Sequence, residues 1–274
     1  MVRLYLLAPA LALLVTFVVA FIVYAALCAT GRPPAVRAAK HNELFGPFFA
    51  NFLVWVIGPV ERLLIGRVSP NAVTSASLAL CAVTGVAAAL GHLPGAVWLY
   101  AFAGILDVLD GRLARQTGQQ TAAGALFDSV ADRWGELFVF AGYGWFLHDS
   151  LWVLAVFAAL GGSTMVSYTR ARAEGLGVTS VKGGLMQRAE RIVLVAGGTL
   201  IAAWYGVDDM QTATTIIGAT MLLCGVASTG TALNRWVTAY RELSAREAAP
   251  AGAAAGARAP KPLAPAPVRA VEQH

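Results

Sequence analysis

Charge is what this chain lacks most. Charged residues fill 13% of its 274 positions, hydrophobic residues fill 58%, and mean hydropathy is +0.65. A soluble domain carries about a quarter of its residues as charges, so that class is excluded and a polytopic membrane protein is left. Cysteine is scarce too: Cys28, Cys81 and Cys224 each fall in an apolar run without metal-ligand spacing. That excludes a zinc ribbon or a disulfide framework and leaves three small core hydrophobes. His41, His92 and His148 stand singly near the ends of apolar runs, as polar interface residues. There is no Walker-type phosphate loop and no repeat of 20–50 residues, so a P-loop enzyme and a solenoid are excluded.

What is present is a series of apolar runs. Reading runs of about 20 residues as spans gives Leu4–Leu27, Ala72–Leu90, Gly95–Leu109, Ala122–Phe146, Leu151–Thr169, Ile192–Tyr205 with a few residues before it, and Thr212–Val237. Leu4–Leu27 is preceded by one basic residue, Arg3, but its apolar core is longer than a signal peptide's. Ala25-Ala26-Leu27-Cys28 fails as a lipoprotein cleavage site because Leu27 is too large. Residues 1–30 are therefore expected to be a retained first transmembrane helix. Residues 31–71 form a basic loop and an aromatic segment, Glu43–Arg67, which Gly46, Pro47, Gly58 and Pro59 should interrupt before it spans. An interfacial amphipathic helix is expected there. Residues 72–240 hold the main domain. Residues 241–274 form a tail, rich in Ala, Pro and Gly beyond Ala245, that cannot bury a core and is expected to be disordered.

Lys and Arg set the orientation, because positive charge is retained on the cytoplasmic side. The turns Gly91–Gly95, Leu147–Ser150 and Gly206–Gln211 contain neither, whereas the opposite loops hold Arg37, Lys40, Arg62, Arg67, Arg112, Arg115, Arg170, Arg172, Lys182, Arg188 and Arg191. The amino terminus is expected outside and the carboxyl terminus in the cytoplasm.

The chemistry concentrates between Asp107 and Asp132, which reads Asp107-x2-Asp110-Gly111-x2-Ala114-Arg115-x8-Gly124-x3-Asp128-x3-Asp132. Asp107 and Asp110 are three apart and Asp128 and Asp132 four apart, so each pair projects from one face of its helix. A short polar loop, Gln116 to Thr121, should fold the two helices antiparallel and bring four carboxylates together on the cytoplasmic side. A divalent cation would relieve their repulsion, and all-carboxylate ligation favours a hard ion, Mg²⁺ or Mn²⁺.

This pattern, all eight fixed positions present, resembles the signature of the CDP-alcohol phosphotransferase family. The resemblance implies a fold: an all-α integral membrane protein with a six-helix core, an interfacial juxtamembrane helix, and here one extra N-terminal transmembrane helix. It also implies a reaction at the headgroup depth of the lipid bilayer in which an alcohol displaces CMP from CDP-diacylglycerol, with two metal ions and a homodimer expected. Asp107, Asp110 and Asp128 match the family's metal ligands, and Asp132 matches the acid proposed to take the alcohol's proton, and is counted with the metal residues as a loosely bound fourth. Asp107, Gly111, Ala114, Arg115 and Gly124 are placed at the CDP-lipid. Ser69-Pro70-Asn71-Ala-Val-Thr74 caps the next helix and is similar to the family's P-N-x-x-T motif, which adds Asn71 and Thr74 to that site. Arg112 is open between a phosphate contact and a plain topology signal.

Ser167-Tyr168-Thr-Arg170-Ala-Arg172-Ala-Glu174, Lys182 and Gln187-Arg188-Ala-Glu190-Arg191 put five cations in one cytoplasmic stretch. The form resembles segments of the phosphatidylinositol phosphate synthases within the family, although Gln187 stands where an acid is usual. Arg170, Arg172, Lys182, Arg188 and Arg191 are therefore the expected holders of a phosphorylated polyol, inositol phosphate first and glycerol 3-phosphate second. Serine, choline or ethanolamine would not need so many arginines. A divalent-cation transporter is the reading from another class, but it leaves Gly111, Ala114, Arg115 and Gly124 without a role. No nucleic-acid partner is expected.

Overall fold

The computed structural model describes residues 2–36, 46–181 and 183–248, with residues 2–6 described by backbone alone. Among the described residues every regular element is a helix: α1 Val2–Ala29, α2 Gly46–Leu64, α3 Pro70–Ala89, α4 Leu93–Gln116, α5 Ala122–Phe146, α6 Val153–Gly175, α7 Arg188–Tyr205 and α8 Met210–Ala248. The seven apolar runs correspond to α1 and α3–α8. Several helices outlast their runs because polar residues continue the turn. α4 carries Gly111, Arg112 and Arg115 inside it, α6 continues through Arg170 and Arg172 to Gly175, and α8 extends to Ala248. The tail expected from residue 241 is thus helical to Ala248, since Tyr240–Ala248 holds no Pro or Gly. Residues 249–274, with Arg37, Lys40, His41 and Lys182, lie outside the described residues.

α2 departs from the expected interruption: it is continuous across Gly58 and Pro59. By length and composition it is one of five helices among the described residues that are apolar enough to cross a membrane, with α1 (from Leu7), α3, α4 and α8. α1 lays Phe17, Phe21 and Tyr24 against Phe52 of α2, with ring centroids 5.0, 5.1 and 5.6 Å apart. The sequence called for a cap before α3, and Ser69 provides it: its Oγ accepts the Ala72 amide at 3.3 Å and Pro70 opens the helix.

Packing neighbours run α3, α4, α7, α8, α6, α5 and back to α3, closing a ring against which α1 and α2 lie at α4. Its interior holds Cys81, Tyr100, Phe140, Tyr143, Ile217, Met221 and Cys224, all buried. Tyr143 and Thr199 hydroxyls meet at 2.6 Å, which satisfies both polar tips away from water. The ring closes tightly where side chains are absent: a Cβ on Gly142 of α5 would lie 2.1 Å from the Gly85 carbonyl oxygen of α3. Small residues allow such backbone approach between membrane helices. Gly142→Ala is therefore expected to push α3 and α5 apart at a cost of about 1–3 kcal/mol, read as a lowered thermal midpoint of the detergent-purified protein.

Candidate active site

Asp107 and Asp110 stand one turn apart on α4, and Asp128 stands in the second turn of α5. One carboxylate oxygen from each lies within 4.8 Å of the others. Asp110 is buried, and its orientation is fixed from two sides: Thr74 of α3 donates to Oδ2 at 2.7 Å and the Gly111 amide donates to Oδ1. Thr74 therefore acts on the site by holding a carboxylate.

Asp132 is not one of those three. One turn beyond Asp128, it pairs with Arg188 from α7. Arg188 Nη1 also donates to Asp107 Oδ1 at 2.7 Å. A guanidinium thus sits between two signature carboxylates, showing that the cluster draws in positive charge. The donor set, anionic oxygens from three side chains that converge on one small volume, fits a hard divalent cation.

The small residues of the signature lie where two helices start and end. A Cβ on Gly124 would meet Thr121 Oγ1 at 3.0 Å and Asn71 Oδ1 at 3.6 Å, so Asn71 and Gly124 are neighbours. A Cβ on Gly111 would come within 3.3 Å of the Arg115 guanidinium, which is exposed beside it, while Ala114 is half-buried. These positions share one end of α3, α4 and α5 with the aspartates.

A cavity of about 950 Å³ opens from Asp107 and Asp132 between α5, α6, α7 and α8. Of the four described cations expected to hold the acceptor, Arg170, Arg188 and Arg191 line it. Arg172 does not, because α6 stays helical past it and residues two apart point to different sides. Arg191 lines the cavity but is 1% exposed and already engaged. Its Nε donates to Glu136 Oε1 at 2.8 Å, Nη2 pairs with the same oxygen, and Nη1 donates to the Met186 carbonyl at 3.2 Å. It ties α7 to α5 rather than presenting a free fork. Arg170 is exposed and shares its charge with Glu174 at 3.0 Å.

Three further charged residues belong to the site. Arg133 pairs with Glu136 at 3.3 Å and with Asp132 at 4.0 Å. Arg235 of α8, 4% exposed, donates to the Gly183 carbonyl at 3.0 Å and the Val166 carbonyl at 2.8 Å. Glu136 holds Arg191. The signal was available: each interrupts an apolar run, and charge inside such a run faces a partner or a cavity.

The family model described as CDP-alcohol phosphatidyltransferase matches residues 67–239. The phosphatidylinositol phosphate synthase of Streptomyces avermitilis is 32% identical over 81% of this chain and 95% of its own length. The archaetidylinositol phosphate synthase of Methanothermobacter thermautotrophicus is 38% identical over 45% of this chain and 61% of its own. The fold is similar to crystal structures of Mycobacterium tuberculosis phosphatidylinositol phosphate synthase. The structure with CDP-DAG bound aligns at TM-score 0.58 and 28% identity, covering 68% of this chain and 94% of that one. The structure in complex with manganese and citrate aligns at 0.59 and 29%, covering 66% and 88%. With its signature aspartates gathered at one end of the ring, this chain belongs to the CDP-alcohol phosphatidyltransferase family and is a membrane transferase of phospholipid biosynthesis.

Proposed function

We propose that this enzyme transfers the phosphatidyl group of CDP-diacylglycerol to inositol phosphate with release of CMP. The observation that carries the reading is the cavity itself, which has Asp107 and Asp132 at one end and Arg170 and Arg188 facing it. Asp107, Asp110 and Asp128 would hold Mg²⁺ or Mn²⁺, proposed as two ions, which when bound would neutralise the pyrophosphate and polarise the phosphorus under attack. Thr74 keeps Asp110 turned toward that site. Gly111, Ala114 and Gly124, with Asn71, leave room for the nucleotide to approach backbone, and Arg115 offers its phosphates a planar donor.

Asp132 accepts the proton of the acceptor hydroxyl. The freed oxygen forms a bond to the phosphorus bearing diacylglycerol, the bond from that phosphorus to the CMP oxygen breaks, and CMP leaves. Arg188, which pairs with Asp132 and Asp107, turns to the acceptor's phosphate when the substrates bind, and Arg170 supports it from α6. The Lys and Arg distribution supports a cytoplasmic position for this end of the ring with the amino terminus outside, and the family resemblance supports a homodimer. Glycerol 3-phosphate would meet the same cations and is the second acceptor to test. Cation transport is not favoured, since the relatives are synthases.

Arg170→Gln is expected to raise the KM for inositol phosphate and leave that for CDP-diacylglycerol nearly unchanged. A lost charge-assisted hydrogen bond is worth about 1.5–3 kcal/mol, hence roughly tenfold to a hundredfold in acceptor binding. An unchanged acceptor KM would leave the cationic wall as a topology signal only. Arg191→Gln would differ: it leaves the buried Glu136 with only the more exposed Arg133 as a charge partner, and so lowers stability before it touches KM.

A further inference from the structure

Glu61 stands on α2, ahead of the region that the family model matches, yet its carboxylate reaches the signature helix. Arg112 Nη2 donates to Glu61 Oε2 at 2.8 Å, with side chains 9% and 4% exposed, and Gln116 Nε2 donates to Glu61 Oε1. Arg112 Nε is buried without a hydrogen-bond partner among the described residues, so the compensation of that charge falls on Glu61. Around the contact Ile57 of α2 packs with Val73 of α3 and Leu109 and Leu113 of α4.

The geometry has a direction. Arg112 and Gln116 are one turn apart and share a face of α4; at 3.6 residues per turn, Asp107, Asp110 and Ala114 fall on the opposite face. Two donors from one face converging on a single carboxylate fix the rotation of α4 about its own axis. We propose that Glu61 is a positioning residue that, by gripping Arg112 and Gln116 from behind, sets the angle at which Asp107 and Asp110 are presented to the metal. It answers the open question about Arg112, which is engaged away from the nucleotide. The inference rests on the reading that these aspartates bind a divalent cation.

The test is Mn²⁺ binding by calorimetry to the full-length protein in detergent, with thermal unfolding alongside. Glu61→Gln is expected to weaken Mn²⁺ by about tenfold in the folded protein, the lower end of what loss of an outer support costs a metal site. Because it leaves a buried guanidinium uncompensated, it could unfold instead, and Glu61→Leu with Arg112→Leu covers that case. Apolar pairs commonly replace buried ion pairs without loss of stability, so the double variant should keep its thermal midpoint and still bind Mn²⁺ about tenfold more weakly. Wild-type Mn²⁺ affinity in the folded double variant would make the pair a structural plug and overturn the proposal. Asp110→Asn separates the two levels: if it too binds Mn²⁺ like wild type, the failure belongs to the metal reading.

Discussion

Asp128→Asn is expected to abolish measurable CMP release from CDP-diacylglycerol, a loss of more than about a hundredfold, while the protein folds and elutes as before. Removing a group that merely supports a metal ligand already costs about 10–100-fold, and Asp128 is one of three carboxylates whose oxygens converge within 4.8 Å. An amide keeps the shape but contributes no charge to a site built of anionic oxygens. Folding should not suffer, since three carboxylates confined together repel one another and losing one relieves that repulsion. Wild-type turnover by Asp128→Asn, or full wild-type activity in excess chelator, would remove the metal from the account.

Asp132→Asn is expected to behave differently: turnover should fall by about 10²–10⁴-fold, the range a positioned general base supplies, while Mn²⁺ and CDP-diacylglycerol should still bind. The separation follows from position. Asp132 lies outside the three clustered carboxylates and is paired with Arg188, which also holds Asp107. An asparagine there still accepts a hydrogen bond from Arg188 but cannot take a proton from an alcohol. Parallel loss of Mn²⁺ affinity and turnover would make Asp132 an ordinary ligand.

The aspartate signature and the apolar runs were legible in the chain because both are local patterns: spacing along one helix, and about 20 residues of continuous hydrophobicity. Which cation faces which partner is not local. Arg188 and Arg191 share a helix face, yet one meets Asp107 and Asp132 while the other is consumed by Glu136, a residue 55 positions away. Arg172 stands with Arg170 in the segment that resembles the synthases, but they could share a face only if the helix ended there, and α6 continues to Gly175. Pro59 read as an interruption, yet α2 is helical through it. The segment it should have broken instead delivers Glu61 to α4, a contact spanning 51 positions that no periodicity announces.

The central claim is the acceptor. Purified enzyme given CDP-diacylglycerol, Mn²⁺ and, separately, inositol phosphate, glycerol 3-phosphate, unphosphorylated inositol or serine should release CMP fastest with inositol phosphate and scarcely at all with the unphosphorylated alcohols. Equal or faster CMP release with unphosphorylated inositol or serine would contradict it.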